Sequence, residues 1–243
     1  MSRSLIENFD WFEAVFGNRN AFIVGGPRER AQHLRTALVE LQRCWRRGQT
    51  KEAEECLGSV FGWVGSLLNA LPVPWLQAMA KKYAGIVCCY CGHQPCGCQG
   101  HRPDPQFFAT PEEIRAALGW DIERWITRLD GKYGHKNRPL GVENAAMRLS
   151  EEITELMVLV EGPDNLKPSE LRQELAKEAG DMVTWVLTLA YVAEMPLEQI
   201  LERRYGDGCP ICHLPVCDCP RFVMVDGRLC HHGSNVSAVP VST

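Results

Sequence analysis

Apolar residues recur every three to four positions through most of the chain, the period of an amphipathic helix rather than of a strand. Leu149, Ile153, Leu156 and Val160 follow it, as do Leu171, Leu175, Met182, Val186, Leu189 and Ala193. Ser169, after Pro168, suits the cap of the second run. Comparable helices are expected over about residues 28–47 and 52–71. Thr110-Pro111-Glu112-Glu113 reads as a capping box with proline at the first helical position. Period-2 alternation is confined to FVMVDGRL (222–229), where Asp-Gly suits a tight hairpin turn, and the segment from Gly233 onward reads as a disordered tail.

The helical pattern occurs twice. LNALPVPWLQAMAKKY (68–83) resembles LAYVAEMPLEQILERRY (189–205), with Trp63, Pro74 and Tyr83 each 122 residues before Trp185, Pro196 and Tyr205. Upstream, Leu34 and Glu40-Leu41 stand 115 residues before Leu149 and Glu155-Leu156. The difference fits a longer loop, EGPDNLKPS, in the second copy. This is the pattern of a tandem duplication. GHRPDPQFFAT (100–110) interrupts any helix and marks the boundary. The expected architecture is all-α: tandem helical-bundle repeats forming a pseudo-dimer, with residues 1–100 and 101–221 as the two units and 222–243 as hairpin and tail.

Composition narrows the function classes. The chain has 243 residues, 45% of them hydrophobic and 23% charged, enough to bury a sizeable core. Net charge is −4, which offers no basic surplus for nucleic acid or an anionic membrane. No apolar run approaches a membrane span, and the start, MSRSLIENFDWFEAVF, carries acids that a signal or transit peptide lacks. A soluble, cytoplasmic protein is expected.

Twelve cysteines are the abnormal figure. Eight of them form two sets of identical spacing, Cys88-x2-Cys91-x4-Cys96-x-Cys98 and Cys209-x2-Cys212-x4-Cys217-x-Cys219, 121 residues apart. In a reducing compartment such sets hold metal more often than disulfides, and four thiolates suit a closed, structural Zn²⁺ site. Two zinc ions per chain are expected, against the alternative of merely buried thiols. Cys209-Pro-Ile-Cys212-His213 also spells a haem-attachment motif, but the first set has Gly92 where His213 stands.

The other candidate chemistry is acidic. Glu151-Glu152-x-x-Glu155 precedes Glu178-x-x-Asp181 on the next expected helix. Residues three apart lie about 60° apart around a helix, so Glu152 and Glu155 share one face, as do Glu178 and Asp181. Four carboxylates converging between packed helices repel one another unless a hard divalent cation, Mg²⁺ or Mn²⁺, neutralises them. The alternative is a solvated acidic face. Glu151, about 100° from Glu152 and 40° from Glu155, could be a ligand or orient a water from behind.

EEITEL (151–156) and EAGDMV (178–183), within ENAAMRLSEEITEL (143–156) and GDMVTWVLTLA (180–190), resemble the MazG-like all-α nucleoside triphosphate pyrophosphohydrolases. The resemblance implies Mg²⁺-dependent hydrolysis of NTPs or dNTPs to monophosphate and pyrophosphate, by dimers or tetramers of helical subunits. It implies Glu152, Glu155, Glu178 and Asp181 as metal ligands, with Glu151 as the leading acid of the motif. The first copy keeps only one of the five acids, Glu40, and has Thr36, Ala37, Cys56 and Ser59 at the other positions, so it reads as a degenerate pseudo-subunit. Arg203, where the family often has lysine, with Arg204 and Lys132, are candidate substrate-binding cations; His135 and Lys136 are further ones, and each also reads as an ordinary surface charge. The rival functions are a non-catalytic zinc-containing interaction or nucleic-acid-binding module, against which the acidic charge counts, and hydrolysis of another phosphoanhydride such as a phosphoribosyl-nucleotide. A homo-oligomer of pseudo-dimers is compatible with all of this.

Overall fold

A computed structural model describes residues 3–20, 26–98, 104–162, 166–219, 221–225 and 228–232. Among these the chain forms eight helices: α1 (Leu5–Asn20), α2 (Pro27–Arg46), α3 (Thr50–Asn69), α4 (Trp75–Tyr83), α5 (Pro111–Ala117), α6 (Ile122–Val160), α7 (Pro168–Val192) and α8 (Leu197–Tyr205). The expected hairpin is present and longer than the alternation indicated, β1 (Arg221–Val225) pairing antiparallel with β2 (Arg228–His232). Its Asp226-Gly227 turn and the tail from Gly233 lie outside the described residues.

Local chemistry explains most helix starts. The Thr110 hydroxyl accepts from Glu113 N (3.2 Å) while Glu113 accepts from Thr110 N (2.8 Å), the expected capping box. Ser4 and Glu7 do the same for α1, and Asp121 Oδ1 accepts from Arg124 N at the start of α6. Ser169 is not the cap of α7: Pro168 already fits the first helical position, so Lys167 takes the cap, its N–H donating to Glu170 (3.1 Å). Gly141 (φ 78°), two residues after Pro139, breaks α6 into two straight pieces. Gly26, 115 residues earlier, likewise has positive φ (55°) and precedes α2.

The helices interlock. α2 lies against α3 and the second piece of α6 against α7, and these two hairpins pack together. The short helices cross over: α4 packs on α7, and α8 packs on α3. The cysteine segments follow them. Cys96 N donates to Lys132 O on α6 (3.0 Å), and Cys217 N donates to Val15 O on α1 (2.7 Å). At the centre Ser4 and Asp121 bridge antiparallel and Leu5 N donates to Trp120 O (2.9 Å), so α1 and α6 begin side by side.

One continuous hydrophobic core results, running from Leu5 and Phe9 of α1 through Leu57, Phe61, Met79, Trp125, Leu149, Ile153 and Met182 to Tyr205. Each such buried side chain contributes roughly 1.5–3 kcal/mol of transfer free energy. Glycines permit the crossovers. A Cβ at Gly180 of α7 would lie 3.0 Å from Met79 N and 3.1 Å from Met79 Cβ, so only glycine lets α4 come this close. Gly58 of α3, 122 residues earlier, faces α8, where a Cβ would meet the side chains of Arg204 (3.0 Å) and Ile200 (3.2 Å) rather than backbone. Among the described residues no helix is long and apolar enough to cross a membrane.

Candidate active site and metal centres

The four sulphurs of Cys88, Cys91, Cys96 and Cys98 come together, as do those of Cys209, Cys212, Cys217 and Cys219, each set within 4.8 Å. Cys88 and Cys98 Sγ are 3.8 Å apart and Cys209 and Cys219 Sγ 3.6 Å, close to the edge of about 3.8 Å in a tetrahedron of metal–sulphur bonds about 2.3 Å long. All four thiols of the second set converge, whereas a haem thioether linkage would engage only Cys209 and Cys212. Burial raises the Cys91 thiol, but hydrogen bonds from the His93 backbone and ring and the Gly97 backbone outweigh this and hold it down at about 5. Cys212 is lowered to about 7, chiefly by the Leu214 backbone. One thiol of each set is thus biased toward the thiolate, the form that binds metal, while burial and the neighbouring thiols push Cys98 up to about 12 and raise Cys219. Lys136 donates to Cys98 O and approaches Cys96 Sγ (3.5 Å), placing a cation beside the first cluster. The His135 ring sits 3.0 Å from Cys96 O, so it too serves this segment.

The acids of α6 and α7 also converge. One carboxylate oxygen each from Glu152, Glu178 and Asp181 lies within 4.8 Å of the others. Glu178 and Asp181 are buried, and Glu152 is half-buried and accepts from Trp185 Nε1 (3.1 Å). Burial, then the charges of Asp181 and Glu178, push Glu152 up to about 8. Glu155 is the exposed neighbour of Glu178 rather than part of the cluster; burial of its carboxyl and the Glu178 charge raise it. Glu151 is exposed and paired with Arg148 (2.7 Å).

Lys82, not foreseen from the sequence, completes the cluster. Its ammonium pairs with Asp181 Oδ2, and the Tyr83 hydroxyl donates to Asp181 Oδ1 (2.8 Å). Both come from α4, brought there by the crossover onto α7. Burial opposes the Lys82 charge, but the Asp181 carboxylate and Tyr90 together outweigh it and raise Lys82. Burial pushes Asp181 up, and Lys82 and Tyr83 offset this only in part. Lys177 adds a second cation, 3.0 Å from Glu178.

Glu152, Asp181, Lys82 and Tyr83 floor a cleft of about 400 Å³, walled by Tyr90, Lys136, Asn137, Leu140, Asn144 and Arg148, with Glu178 behind it. Residues from both sides of the break at Gly141 line it, in the spacing of one helix face. Three expected substrate cations are elsewhere. Lys132 is fully buried, lowered by burial to about 8, and donates to Tyr83 O (2.5 Å) and Gly85 O (2.8 Å), so it ties down the end of α4 instead of reaching solvent. Arg203 pairs with Glu54 (2.6 Å), and Arg204 with Glu55 and Ser59 (2.9 Å), both on α3, because α8 crosses to that hairpin. Lys82 stands 122 residues before Arg204, the same offset that separates Tyr83 from Tyr205, and that offset is the signal the sequence held for it.

The donor set fits a hard divalent cation: three clustered carboxylates, two of them lining a polar cleft. Comparison with protein-family models, with curated proteins and with solved structures returns no match for this chain.

Proposed function

We propose that the chain is a Mg²⁺- or Mn²⁺-dependent hydrolase of nucleoside triphosphates, releasing monophosphate and pyrophosphate. The observation that carries this reading is the three-carboxylate cluster of Glu152, Glu178 and Asp181, two of which, Glu152 and Asp181, line an open cleft. Buried like charges are costly and are kept where they have a counter-ion to bind. In this reading those three residues hold the metal, with Glu155 joining from beside Glu178. Bound there, the ion supplies positive charge to the phosphates and acidifies a water.

The protein groups do the rest. Tyr83 and Lys82 orient Asp181, and Trp185 orients Glu152. Arg148 and Lys136, on the cleft wall, meet the outer phosphates. Asn137, held by Tyr191 Oη (2.7 Å), and Asn144 present amides to the base. Glu151, through Arg148, acts from outside the cluster.

The same proposal reads the chain as a tandem duplication folded as a pseudo-dimer. The reciprocal crossovers of α4 and α8, and the paired Cys96–Lys132 and Cys217–Val15 hydrogen bonds, support it. Residues 1–100 then act as the non-catalytic unit, lending α4 to the catalytic one, and each four-cysteine cluster holds one structural Zn²⁺.

The test is a panel of NTPs and dNTPs with Mg²⁺, followed by product analysis. Monophosphate plus pyrophosphate, lost in Asp181→Asn and partly recovered in excess Mn²⁺, is the expected result. Diphosphate plus free phosphate, or unchanged turnover in Asp181→Asn, overturns it.

A further inference from the structure

A second cleft of about 340 Å³ lies between α1, α3, α8 and the second cysteine cluster. Its residues stand in fixed register with those of the first. Trp63 and Ser59 lie 122 residues before Trp185 and Asp181, and Arg204 and Tyr205 lie 122 residues after Lys82 and Tyr83. Arg19 and Asn20 of α1 lie 117 residues before Lys136 and Asn137 of α6. The frame is shared, and the chemistry has been inverted.

Among the described residues no carboxylate lines the second cleft. Ser59 replaces Asp181, so a hard divalent ion such as Mg²⁺ has no oxygen ligand set there; Cys209 and Cys219, at its edge, belong to the second cysteine cluster. Two arginines face it instead. Arg204 is engaged by Glu55 and Ser59, yet its Nε has no partner among the described residues. Arg19 lies over the Trp63 ring (5.3 Å), whose other neighbour is the stacked His33 ring (4.5 Å), and has no ion pair among the described residues. Asn20 is 4% exposed; its amide nitrogen donates to Ser66 Oγ (3.0 Å), while its Oδ1 has no partner among the described residues. A buried acceptor left open in this way costs about 1–3 kcal/mol until a donor meets it. Phe12, Phe16 and Tyr205 supply an aromatic wall.

We infer that this second cleft binds a nucleoside monophosphate without metal, its phosphate on Arg19 and Arg204 and an amino group of its base on Asn20 Oδ1. Arginine forks bind phosphate without an intervening cation, and aromatic faces accept a base irrespective of its identity. The cationic, metal-free character follows from the cleft's own residues. That the aromatic anion is a nucleotide rests on the function proposed for the first cleft, whose frame it shares.

The test is calorimetric titration of Asp181→Asn protein, which silences the acidic cluster, with AMP, GMP, CMP and UMP in Mg²⁺-free buffer. One site per chain is expected for AMP, GMP and CMP, with UMP, whose base has no amino group, binding more weakly, and with affinity unchanged by added Mg²⁺ and at least tenfold weaker in Arg19→Ala. Trp63 fluorescence, read against Trp63→Phe, locates the site. No binding by any of the four overturns the inference, as does binding that survives Arg19→Ala but is lost in Arg148→Ala, which would place it in the first cleft. Binding of inorganic phosphate as tight as that of the nucleotides also overturns it. If the wild-type chain hydrolyses no triphosphate yet monophosphate binds as described, the function proposed for the first cleft fails and the second cleft stands.

Discussion

Lys82 is the sharpest test of how the acidic cluster is held. Its side chain is 11% exposed and that of Asp181 8%, so the pair is shielded from solvent. Lys82→Met keeps the length and most of the volume of the stem but removes the charge. Asp181 then shares a buried site with Glu152 and Glu178 and has lost its nearest cation. Removing one partner of a buried ion pair costs roughly 3–5 kcal/mol. For a chain of this size about 1 kcal/mol corresponds to roughly 2–4 °C, which predicts a fall in Tm of about 6–20 °C without metal. A divalent ion bound by the acids replaces the missing charge, and at a hundred times its Kd it returns about 2.7 kcal/mol. Scanning calorimetry with and without Mg²⁺ measures both. The control is Arg204→Met, 122 residues on, where Arg204 is 23% exposed and Glu55 45% exposed. There an exposed pair is worth about 0–1 kcal/mol, and Mg²⁺ has no acids to bind. The reasoning is refuted if Lys82→Met leaves the Tm unchanged, or if Mg²⁺ raises the Tm of Lys82→Met no more than that of wild type.

Metal analysis should find two zinc ions per chain, and chelation should lower the Tm; protein with no zinc that keeps its Tm would show that the clusters are thiols only. Glu155→Ala should lower turnover strongly while Glu40→Ala, 115 residues earlier, should leave it near wild type; equal losses would assign a working site to the first half of the chain. Glu152 is raised to about 8 when no metal is present. The protonated form is therefore favoured by folding, and stability is present below the unfolded pKa and lost as pH rises toward 8. Metal-free wild type should thus lose about 1–2 kcal/mol relative to Glu152→Gln between pH 6 and 8 in urea titrations, a pH unit being worth at most about 1.4 kcal/mol; parallel profiles would show that Glu152 does not titrate there.

The helices and both clusters of ligands were legible in the sequence for one physical reason: each is a local pattern. A period of 3.6 brings Leu149, Ile153 and Leu156 to one buried face, and a spacing of two, four and one keeps four thiols within a short stretch of chain where they can meet. The acids were legible as pairs, but their inequality was not. Only the packing of α6 on α7 decides that Glu152 turns inward while Glu155 stays exposed. Lys132 did carry a signal. It follows Ile122, Trp125 and Leu129 along the buried stripe of α6, and a charge in that register is aimed at backbone carbonyls rather than at a substrate. Lys82 carried none of its own, since it lies 99 residues from Asp181 and its helix reads as an ordinary basic end. Its role exists only because α4 crosses to α7, and that crossing needs Gly180 to be small. The acids alone would not tolerate burial, and the lysine alone would have no reason to be buried. The site is therefore a property of the two halves of the chain together, and a fragment beginning at residue 101 would keep every carboxylate of the cluster yet lack the cation that lets them sit side by side.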